Sequence, residues 1–424
     1  MYAPSQRQGV RMDGETPVIT QPYTLLSHIW LRRTPDGRYH ADDLWQIDLQ
    51  AHFAYIADLR ICCPVIDCAE AGPGWTAVEG LTDARVTRLP AIRGWRAAIL
   101  KQPETFRAVR RAVSTSAVVH SGGAGWPFPP SYYLLLLRRR YRFRWFMVVE
   151  STPWMTRPSA RRSLRQIIAA AVHGRLVRRC VRSADMRLFT QDWYREHFLG
   201  STEASLVSPA IWVRDDQLRQ GLDEADRTLF GQTPLRLLFA GRLTPDKDPE
   251  TFLDALDRLE TLLATGEGPA VEATIMGDGP LLQACRARAA QPRSRVRLRI
   301  APPVDYGAPF FETVRAHHAV VLCNRGAEQP RLIYDAFSQG RPVFAAETTG
   351  TRAAVTDSGA GALFEAGNAA SLAELIARHA SDPETLAAMA ERAITHAAGK
   401  THSAMHARRA RFLVDHLAAG AGAA

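Results

Sequence analysis

Short β-rich runs alternate with helix-like stretches over the second half of the chain. The runs cover residues 235–240, 271–276, 296–300, 319–323 and 342–346. Between the first two, Phe252, Leu256 and Leu259 share one stripe of a predicted helix over 249–263. This alternation is typical of a parallel sheet with helices on both faces. We predict a doubly wound α/β domain, then further helices over 369–417, the last beginning at about residue 403.

The first half of the chain has a weaker pattern of the same kind. Its apolar runs cover residues 60–66, 117–120, 145–150 and 186–190, with helical patterns between them. A chain of 424 residues is also too long for one hydrophobic core, because single cores stop growing at about 250–300 residues. We therefore predict two α/β domains, 1–213 and 214–424.

Composition places the chain among ordinary globular proteins. Apolar residues make up 46% and charged residues 23% of the sequence. The six cysteines form no CxxC pair, which argues against a zinc site and against a disulfide framework. No stretch reaches the roughly 18–20 apolar residues of a membrane span. We expect a cytoplasmic protein, either soluble or peripheral on the cytoplasmic face of the inner membrane.

The net charge of +10 is unevenly distributed. Residues 1–213 contain 29 basic and 17 acidic residues, and residues 101–200 alone contain 19 basic and 5 acidic ones. Such an excess concentrates anionic partners near the surface. Nucleic acid, anionic lipid and anionic substrates all fit this charge.

The run that ends at Ala240 continues as Gly-Arg-Leu-Thr-Pro-Asp-Lys. Ligands of open α/β sheets bind outside the carboxyl ends of strands. There, Gly241 lets the backbone approach a ligand, Arg242 offers two parallel hydrogen bonds to phosphate, and Lys247 adds a point charge. The three residues suit a diphosphate; a surface turn with solvated side chains is the alternative.

A second glycine-rich turn, Gly277-Asp278-Gly279-Pro280, follows the run 271–276. The glycines Gly277 and Gly279 permit a tight turn, and proline is favoured at the first position of a helix. This turn repeats the strand–glycine–helix pattern of the first one.

The third candidate is a loop followed by a helix that Pro330 begins and Gly340 ends. The free amides of Arg331, Leu332 and Ile333 would form an anion site at the helix N-terminus. The carboxylates of Glu328 and Asp335 can accept hydrogen bonds from sugar hydroxyls. Capping by Glu328 and an ordinary helical role for Asp335 are the alternatives.

The order of these three elements resembles the retaining glycosyltransferases of family 4, which have the GT-B fold. The resemblance covers about residues 235–417. It implies two Rossmann-like domains facing across a cleft, with the nucleotide sugar on the C-terminal domain and the acceptor on the N-terminal one. The last helix would return toward the N-terminal domain. The resemblance further implies that Arg242 and Lys247 bind the donor diphosphate, Glu328 meets the sugar and Asp335 holds the ribose.

One spacing departs from the family. The family usually has two glutamates with seven residues between them, whereas Glu328 and Asp335 have six, and Ala327 stands in the first expected position. Cofactor and metal are not expected, because no DxD motif follows an N-terminal strand and two cations can neutralise the diphosphate.

The predicted activity is retaining transfer from a nucleotide-diphosphate sugar to a glycan or lipid-linked acceptor, in cell-surface polysaccharide synthesis. A related sugar phosphorylase or epimerase is the alternative enzyme, and a basic nucleic-acid-binding protein is the alternative outside enzymes. The latter leaves the three donor-side elements unexplained, so we expect no nucleic acid partner.

In the first half, two features follow apolar runs. The glycine-rich segment 120–126 can offer backbone amides to a ligand, and the carboxylate of Glu150 is placed to orient an acceptor hydroxyl. Between 138 and 182, arginines are interleaved with aromatic residues or lie on predicted helices. We expect this segment to dock on an anionic membrane surface, where a transferase that builds lipid-linked glycans would act; arginines that decorate ordinary helices are the alternative.

Overall fold

The computed structural model describes residues 18–125, 128–155, 163–264 and 268–421. They form two compact units. The first takes the chain up to Glu150, Val172–Pro209 and the chain from Ser403, and the second takes Ser151–Ala171 and Ala210–His402. The predicted division at 213/214 lies close to the change of unit after Pro209. Which unit binds donor or acceptor stays a prediction.

The first unit contains a mostly parallel sheet. Its strands are β1 (Tyr23–Leu26), β2 (Leu31–Arg33), β3 (Tyr39–Asp42), β4 (Leu59–Asp67), β5 (Trp75–Ala77), β6 (Val86–Leu89), β7 (Val118–Gly122), β8 (Arg144–Val149), β9 (Met186–Phe189) and β10 (Ser205–Val207). The described strands run in the order β10-β9-β8-β7-β1-β4-β2-β3-β5, and β6 also pairs with β4. Only the pairs β2–β3 and β3–β5 are antiparallel among them.

Helices cover this sheet. They are α1 (Asp43–Phe53), α2 (Trp95–Leu100), α3 (Gln102–Ser114), α4 (Ser131–Leu137), the part of α5 (Leu164–Ser183) that begins at Val172, and α6 (Asp192–Phe198). The core contains strand residues such as Leu25, Ile61 and Phe146, which are buried. It contains mainly alternate residues of the strands, as a sheet with helices on both faces requires.

The second unit contains an all-parallel sheet. Its strands are β11 (Leu235–Ala240), β12 (Val271–Met276), β13 (Val296–Ala301), β14 (Ala319–Leu322), β15 (Val343–Ala346) and β16 (Gly361–Phe364). They run in the order β13-β12-β11-β14-β15-β16 among the described residues. This is the strand order of a Rossmann fold.

The helices that follow or flank these strands are α7 (Glu224–Phe230), α8 (Pro249–Ala264), α9 (Leu282–Ala289), α10 (Ala308–Arg315), α11 (Leu332–Ser338), α12 (Arg352–Ser358), α13 (Ala369–Ala380) and α14 (Pro383–Ala397). The apolar stripe of α8, with Phe252, Leu256 and Leu259, packs into the core that Leu237 and Ile275 of the sheet also join. The last helix, α15 (His402–Ala421), places Ala410, Leu413 and Leu417 in the core of the first unit.

The predicted runs at 235–240 and 271–276 match β11 and β12 in both bounds. Strand β16 was not predicted, because only Leu363 and Phe364 of its four residues are large apolar residues. Three helices occupy the region 369–421 where two or three were expected.

Candidate functional site

The second sheet reverses its strand order between β11 and β14. Ligands of open α/β sheets bind outside the carboxyl ends of the strands at such a reversal. There the backbone amide of Arg325, after β14, donates a hydrogen bond of 3.0 Å to the carbonyl oxygen of Asp246, after β11. The two loops therefore meet at the reversal, and they carry the candidate segments 241–248 and 328–335.

The loops after β11 and β12 also hold each other. The amide of Leu243 donates to the carbonyl oxygen of Asp278 at 2.8 Å. A Cβ on Gly277 would lie 1.9 Å from the carbonyl oxygen of Gly241, and one on Gly279 would lie 2.6 Å from that of Leu243. Gly277 and Gly279 thus do more than permit a turn: they let two backbones touch. A Cβ on Gly241 would meet nothing within 4 Å.

Arg242 and Lys247 converge on one carboxylate that the sequence analysis did not single out. The Nη2 of Arg242 lies 3.8 Å from Oδ2 of Asp246, and Nζ of Lys247 lies 3.7 Å from the same oxygen. The side chain of Arg242 is 72% exposed and that of Lys247 is 23% exposed. Both side chains are therefore close enough to bind the same anionic ligand. Neither makes a short hydrogen bond to Asp246.

The loop that carries Lys247 is anchored by an ion pair between a buried aspartate and a partly exposed arginine. The next residue, Asp248, is buried in a left-handed conformation with φ +53°. Its Oδ1 accepts from the amide of Thr251 at 3.3 Å at the start of α8, and its Oδ2 accepts from Nε of Arg325 at 2.6 Å. Arg325 therefore binds this loop twice, through its backbone amide and through its guanidinium. The two residues of this ion pair are 77 positions apart in the chain, so no local sequence pattern predicts their contact.

The predicted anion site at the start of α11 needs one correction. The amide of Ile333 is not free, because it donates to the carbonyl oxygen of Pro330 at 3.2 Å in a first turn that is tighter than an α-helix. Within the described ranges, no hydrogen bond is made by the amides of Arg331 and Leu332. The guanidinium of Arg331 lies 5.1 Å from the ring centroid of Trp212.

Glu328 lies in the loop before α11, where its backbone is tightly packed. A Cβ on Gly350 would be 2.0 Å from the carbonyl oxygen of Glu328, so only glycine fits beside it. The side chain of Glu328 is partly exposed. Its contact with the transferred sugar stays a prediction.

Asp335 has a partner that the sequence did not reveal. Its side chain is buried, and Oδ1 accepts a hydrogen bond of 2.7 Å from the hydroxyl of Tyr306. Burial raises the pKa of Asp335 to about 6, although the Tyr306 hydrogen bond and the charge of Arg331 act in the opposite direction. Asp335 is therefore one half of a buried pair with Tyr306, and its contact with the ribose stays a prediction.

The candidates of the first unit are placed as follows. Glu150 directly follows β8 and is exposed; its role with an acceptor stays a prediction.

His120 lies inside β7 rather than in a loop, and burial holds its pKa well below the usual value. Gly123 donates from its amide to the carbonyl oxygen of Val148 at 2.8 Å. Trp126, at the end of the predicted glycine-rich segment, lies outside the described residues.

The arginine-rich segment is only partly a surface. The aromatic residues Phe143, Trp145 and Phe146 are buried in or next to β8, so they are core residues and not an interface. Arg138 makes two hydrogen bonds of 3.0 and 2.9 Å to the carboxylate of Asp185, and Arg144 donates to the carbonyl oxygen of His416 at 3.2 Å. Arg139, Arg140 and Arg142 are exposed, while Arg161 and Arg162 lie outside the described residues.

Across the described part of the chain, no helix has both the length and the apolar character needed to cross a membrane.

Comparison with known proteins adds a family match and structural likenesses. Residues 223–396 match the family model of the group 1 glycosyl transferases. No curated protein matches the chain. A sucrose-phosphate synthase from Thermosynechococcus elongatus is 15% identical with a TM-score of 0.64, covering 94% of this chain and 100% of its own. HepE from Anabaena, in complex with UDP-glucose, is 14% identical with a TM-score of 0.60, covering 93% and 99%.

The apo form of the lipopolysaccharide outer core galactosyltransferase WaaB is 12% identical with a TM-score of 0.60, covering 94% of this chain and 99% of its own. At such identities the likeness shows the fold alone. The prediction of a GT-B fold with two Rossmann-like domains is confirmed. The residues that match the group 1 glycosyl transferase model, 223–396, lie in the second unit, and the match supports sugar transfer as the activity.

Proposed function

We propose that this chain, which carries a group 1 glycosyl transferase domain, is a retaining family 4 enzyme. It transfers a sugar from a nucleotide-diphosphate sugar to a glycan or lipid-linked acceptor in cell-surface polysaccharide synthesis. The observation that carries the donor side is the convergence of Arg242 and Lys247 on one oxygen of Asp246, at 3.8 and 3.7 Å, where the strand order reverses. HepE, of the same fold, is described with UDP-glucose, which supports a nucleotide sugar as donor.

The chemistry requires that negative charge be stabilised as the donor breaks down. The bond between the anomeric carbon and the diphosphate oxygen breaks, and the acceptor oxygen bonds to the anomeric carbon on the same face. The acceptor proton leaves with the diphosphate. Arg242 and Lys247 neutralise the charge that grows on the diphosphate, so a metal ion is not needed for that step.

Calorimetric titration of UDP, GDP and ADP, and of their sugar conjugates, tests the donor site. We expect one nucleoside diphosphate to bind the wild-type protein and Arg242→Ala to weaken it by about tenfold or more, since charge-assisted hydrogen bonds contribute about 1.5–3 kcal/mol. Arg286→Ala, which removes an exposed arginine on α9 of the same unit, is the matched control. The donor-site proposal is wrong if no diphosphate binds the wild type, or if Arg242→Ala binds equally well.

For the acceptor side we propose docking on an anionic membrane. We propose that the docking surface includes α2, which is supported by the exposure of Trp95, Ile99 and Leu100, at 62%, 67% and 75%. Leu136 on α4 is also exposed. Arg93 and Arg96 flank the apolar side chains of α2 and are exposed. Apolar side chains among arginines suit the boundary between acyl chains and anionic headgroups.

Helix α5 continues this composition. Within the first unit, Val172 and Arg175 of this helix are exposed. The hydroxyl of Tyr132 on α4 lies 2.8 Å from Nδ1 of His173 on α5, so these two helices are in contact. The segment 101–200, with 19 basic and 5 acidic residues, supplies the charge that complements an anionic surface.

Sedimentation with vesicles tests this docking. We expect the protein to pellet with phosphatidylglycerol–phosphatidylcholine vesicles and not with phosphatidylcholine alone, and the triple change Trp95→Ser, Ile99→Ser and Leu100→Ser to reduce pelleting strongly. Leu262→Ser, an exposed leucine of the second unit, is the control. If the triple variant pellets with the vesicles as well as the wild type does, α2 is not part of the docking surface. Salt-sensitive binding to DNA or RNA in place of vesicles would favour the nucleic acid alternative.

A further inference from the structure

Tyr306 and Asp335 join two loops at the carboxyl edge of the second sheet. Tyr306 lies in the connection between β13 and α10, and Asp335 lies on α11. The Tyr306 hydroxyl donates to Oδ1 of Asp335 at 2.7 Å. The pair therefore connects the loop after β13 to the helix after β14.

The ring of Tyr306 is fixed by aromatic packing. It stacks on Phe310, with centroids 5.6 Å apart, and meets Phe311 edge-on at 5.4 Å. Phe311 is itself buried with Ile211 in a small apolar cluster. Because the ring is held on two sides, its hydroxyl occupies one position instead of sampling several.

Asp335 retains unused acceptor capacity. An ionised carboxylate has about four acceptor sites on its two oxygens. Among the described residues, the Tyr306 hydroxyl is the hydrogen-bond donor to this side chain, and it bonds Oδ1 only. Oδ2 therefore keeps acceptor sites that a ligand hydroxyl can fill.

We propose that Tyr306 is a positioning residue for the donor ribose: it holds Oδ1 of Asp335 and thereby aims Oδ2 at a ribose hydroxyl. This inference rests on the proposed function, since it takes the ligand to be a nucleoside diphosphate. The chain has aspartate where the family usually has glutamate, and the shorter side chain has fewer rotamers and less reach. A hydrogen-bond donor fixed at Oδ1 therefore sets the direction in which Oδ2 points.

The electrostatics of the pair give the inference a measurable consequence. Burial raises the pKa of Asp335 to about 6, and the Tyr306 hydrogen bond and the charge of Arg331 lower it. Burial also raises the pKa of Tyr306, with Asp335 acting in the same direction and Arg331 and Arg214 against it, so the phenol stays a donor. A carboxylate that loses the Tyr306 hydrogen bond would protonate at higher pH.

The test is the pH profile of binding of UDP, GDP or ADP, whichever binds the wild type. Affinity of the wild type should fall as the pH decreases through about 6. In Tyr306→Phe, which keeps the ring packing, we expect the midpoint to move up by about one pH unit, with binding about tenfold weaker near that pH. Tyr334→Phe removes a hydroxyl from the same aromatic cluster and should keep the wild-type profile. An unchanged midpoint in Tyr306→Phe overturns the inference.

A second readout identifies the ligand group. The 2′-deoxy and 3′-deoxy forms of the same nucleotide should bind the wild type more weakly than the parent, and Asp335→Ala should lose this discrimination. At pH 7, Tyr306→Phe should discriminate less than the wild type between the parent nucleotide and its deoxy forms. Equal discrimination by wild type and Asp335→Ala would contradict the assignment.

The two proposals fail in different ways. If no nucleoside diphosphate binds the wild type at pH 8, the proposed function is wrong and the ribose assignment falls with it. If binding occurs and depends on Arg242, but neither the pH midpoint nor the deoxy discrimination responds to Tyr306→Phe, then only the positioning role of Tyr306 is wrong.

Discussion

The amide of Leu243 donates a hydrogen bond of 2.8 Å to the carbonyl oxygen of Asp278, and this contact joins the loop of Arg242 to the loop after the neighbouring strand. The amide of Leu281 returns a bond of 3.0 Å to the carbonyl oxygen of Leu243. Because the loops hold each other, the position of the Arg242 backbone depends on the shape of the neighbouring loop.

Gly277→Ala should therefore damage the site without touching Arg242. A Cβ would lie 1.9 Å from the carbonyl oxygen of Gly241, so the loops must separate. We expect a loss of about 1–3 kcal/mol in the free energy of unfolding and weaker nucleotide binding. Urea denaturation and calorimetry measure the two effects.

Gly399→Ala is the matched control for this change. Gly399 also has a positive φ, +68°, but a Cβ there would meet nothing within 4 Å. Equal losses in the two variants would attribute the effect to backbone strain and not to the contact between the loops.

Arg325→Ala should loosen the loop that carries Lys247. The change leaves the carboxylate of buried Asp248 without its 2.6 Å partner. Since Arg325 is 26% exposed, solvent reduces the penalty, and we expect about 1–3 kcal/mol of destabilisation together with a raised KM for the donor. Arg297→Ala breaks an exposed pair with Glu272 and should change stability by less than about 0.5 kcal/mol. A donor KM that stays at the wild-type value in Arg325→Ala would rule out the positioning role.

Arg341→Met should be among the more destabilising single changes in the second unit. Arg341 and Asp226 are both buried, with Nη2 and Oδ1 2.6 Å apart. Removing one partner of a buried pair typically costs about 3–5 kcal/mol. The double variant Arg341→Met with Asp226→Leu should recover part of this loss, which chemical denaturation can measure. If the double variant loses more free energy of unfolding than the two single variants lose together, the pairing is contradicted.

Because of Asp335, the free energy of unfolding should decrease as the pH rises from about 4 to about 6. Its pKa is raised from 3.8 to about 6 in the folded state, chiefly by burial, so the folded protein holds the proton more tightly than the unfolded chain. The contribution is fully present below the unfolded pKa and is lost as the pH rises through about 6. It amounts to about 3 kcal/mol. Asp335→Asn should lack this dependence, and parallel profiles for the two proteins would show that Asp335 does not titrate as described.

The strands of the second unit could be predicted closely from the sequence. Strands β11 and β12 are mostly apolar, with only Arg236 in the first and Glu272 and Thr274 in the second as polar residues, and they end directly before Gly241 and Gly277. Buried parallel strands typically have this composition. The aromatic residues around Arg142 and Arg144 were misleading for the same reason. An apolar strand next to charged residues has the same composition as an interfacial patch, and only burial distinguishes them.

The sequence by itself determined the two α/β domains and the order of Gly241-Arg242, Lys247 and the loop before α11, because periodicity and glycine stops are local properties of the chain. Only the tertiary structure decided the partners of the carboxylates: Asp335 with Tyr306, 29 residues away, and Asp248 with Arg325, 77 residues away. Such pairs depend on loops that the strand order of the sheet brings together. No spacing along the chain encodes that proximity, so these contacts follow from the fold.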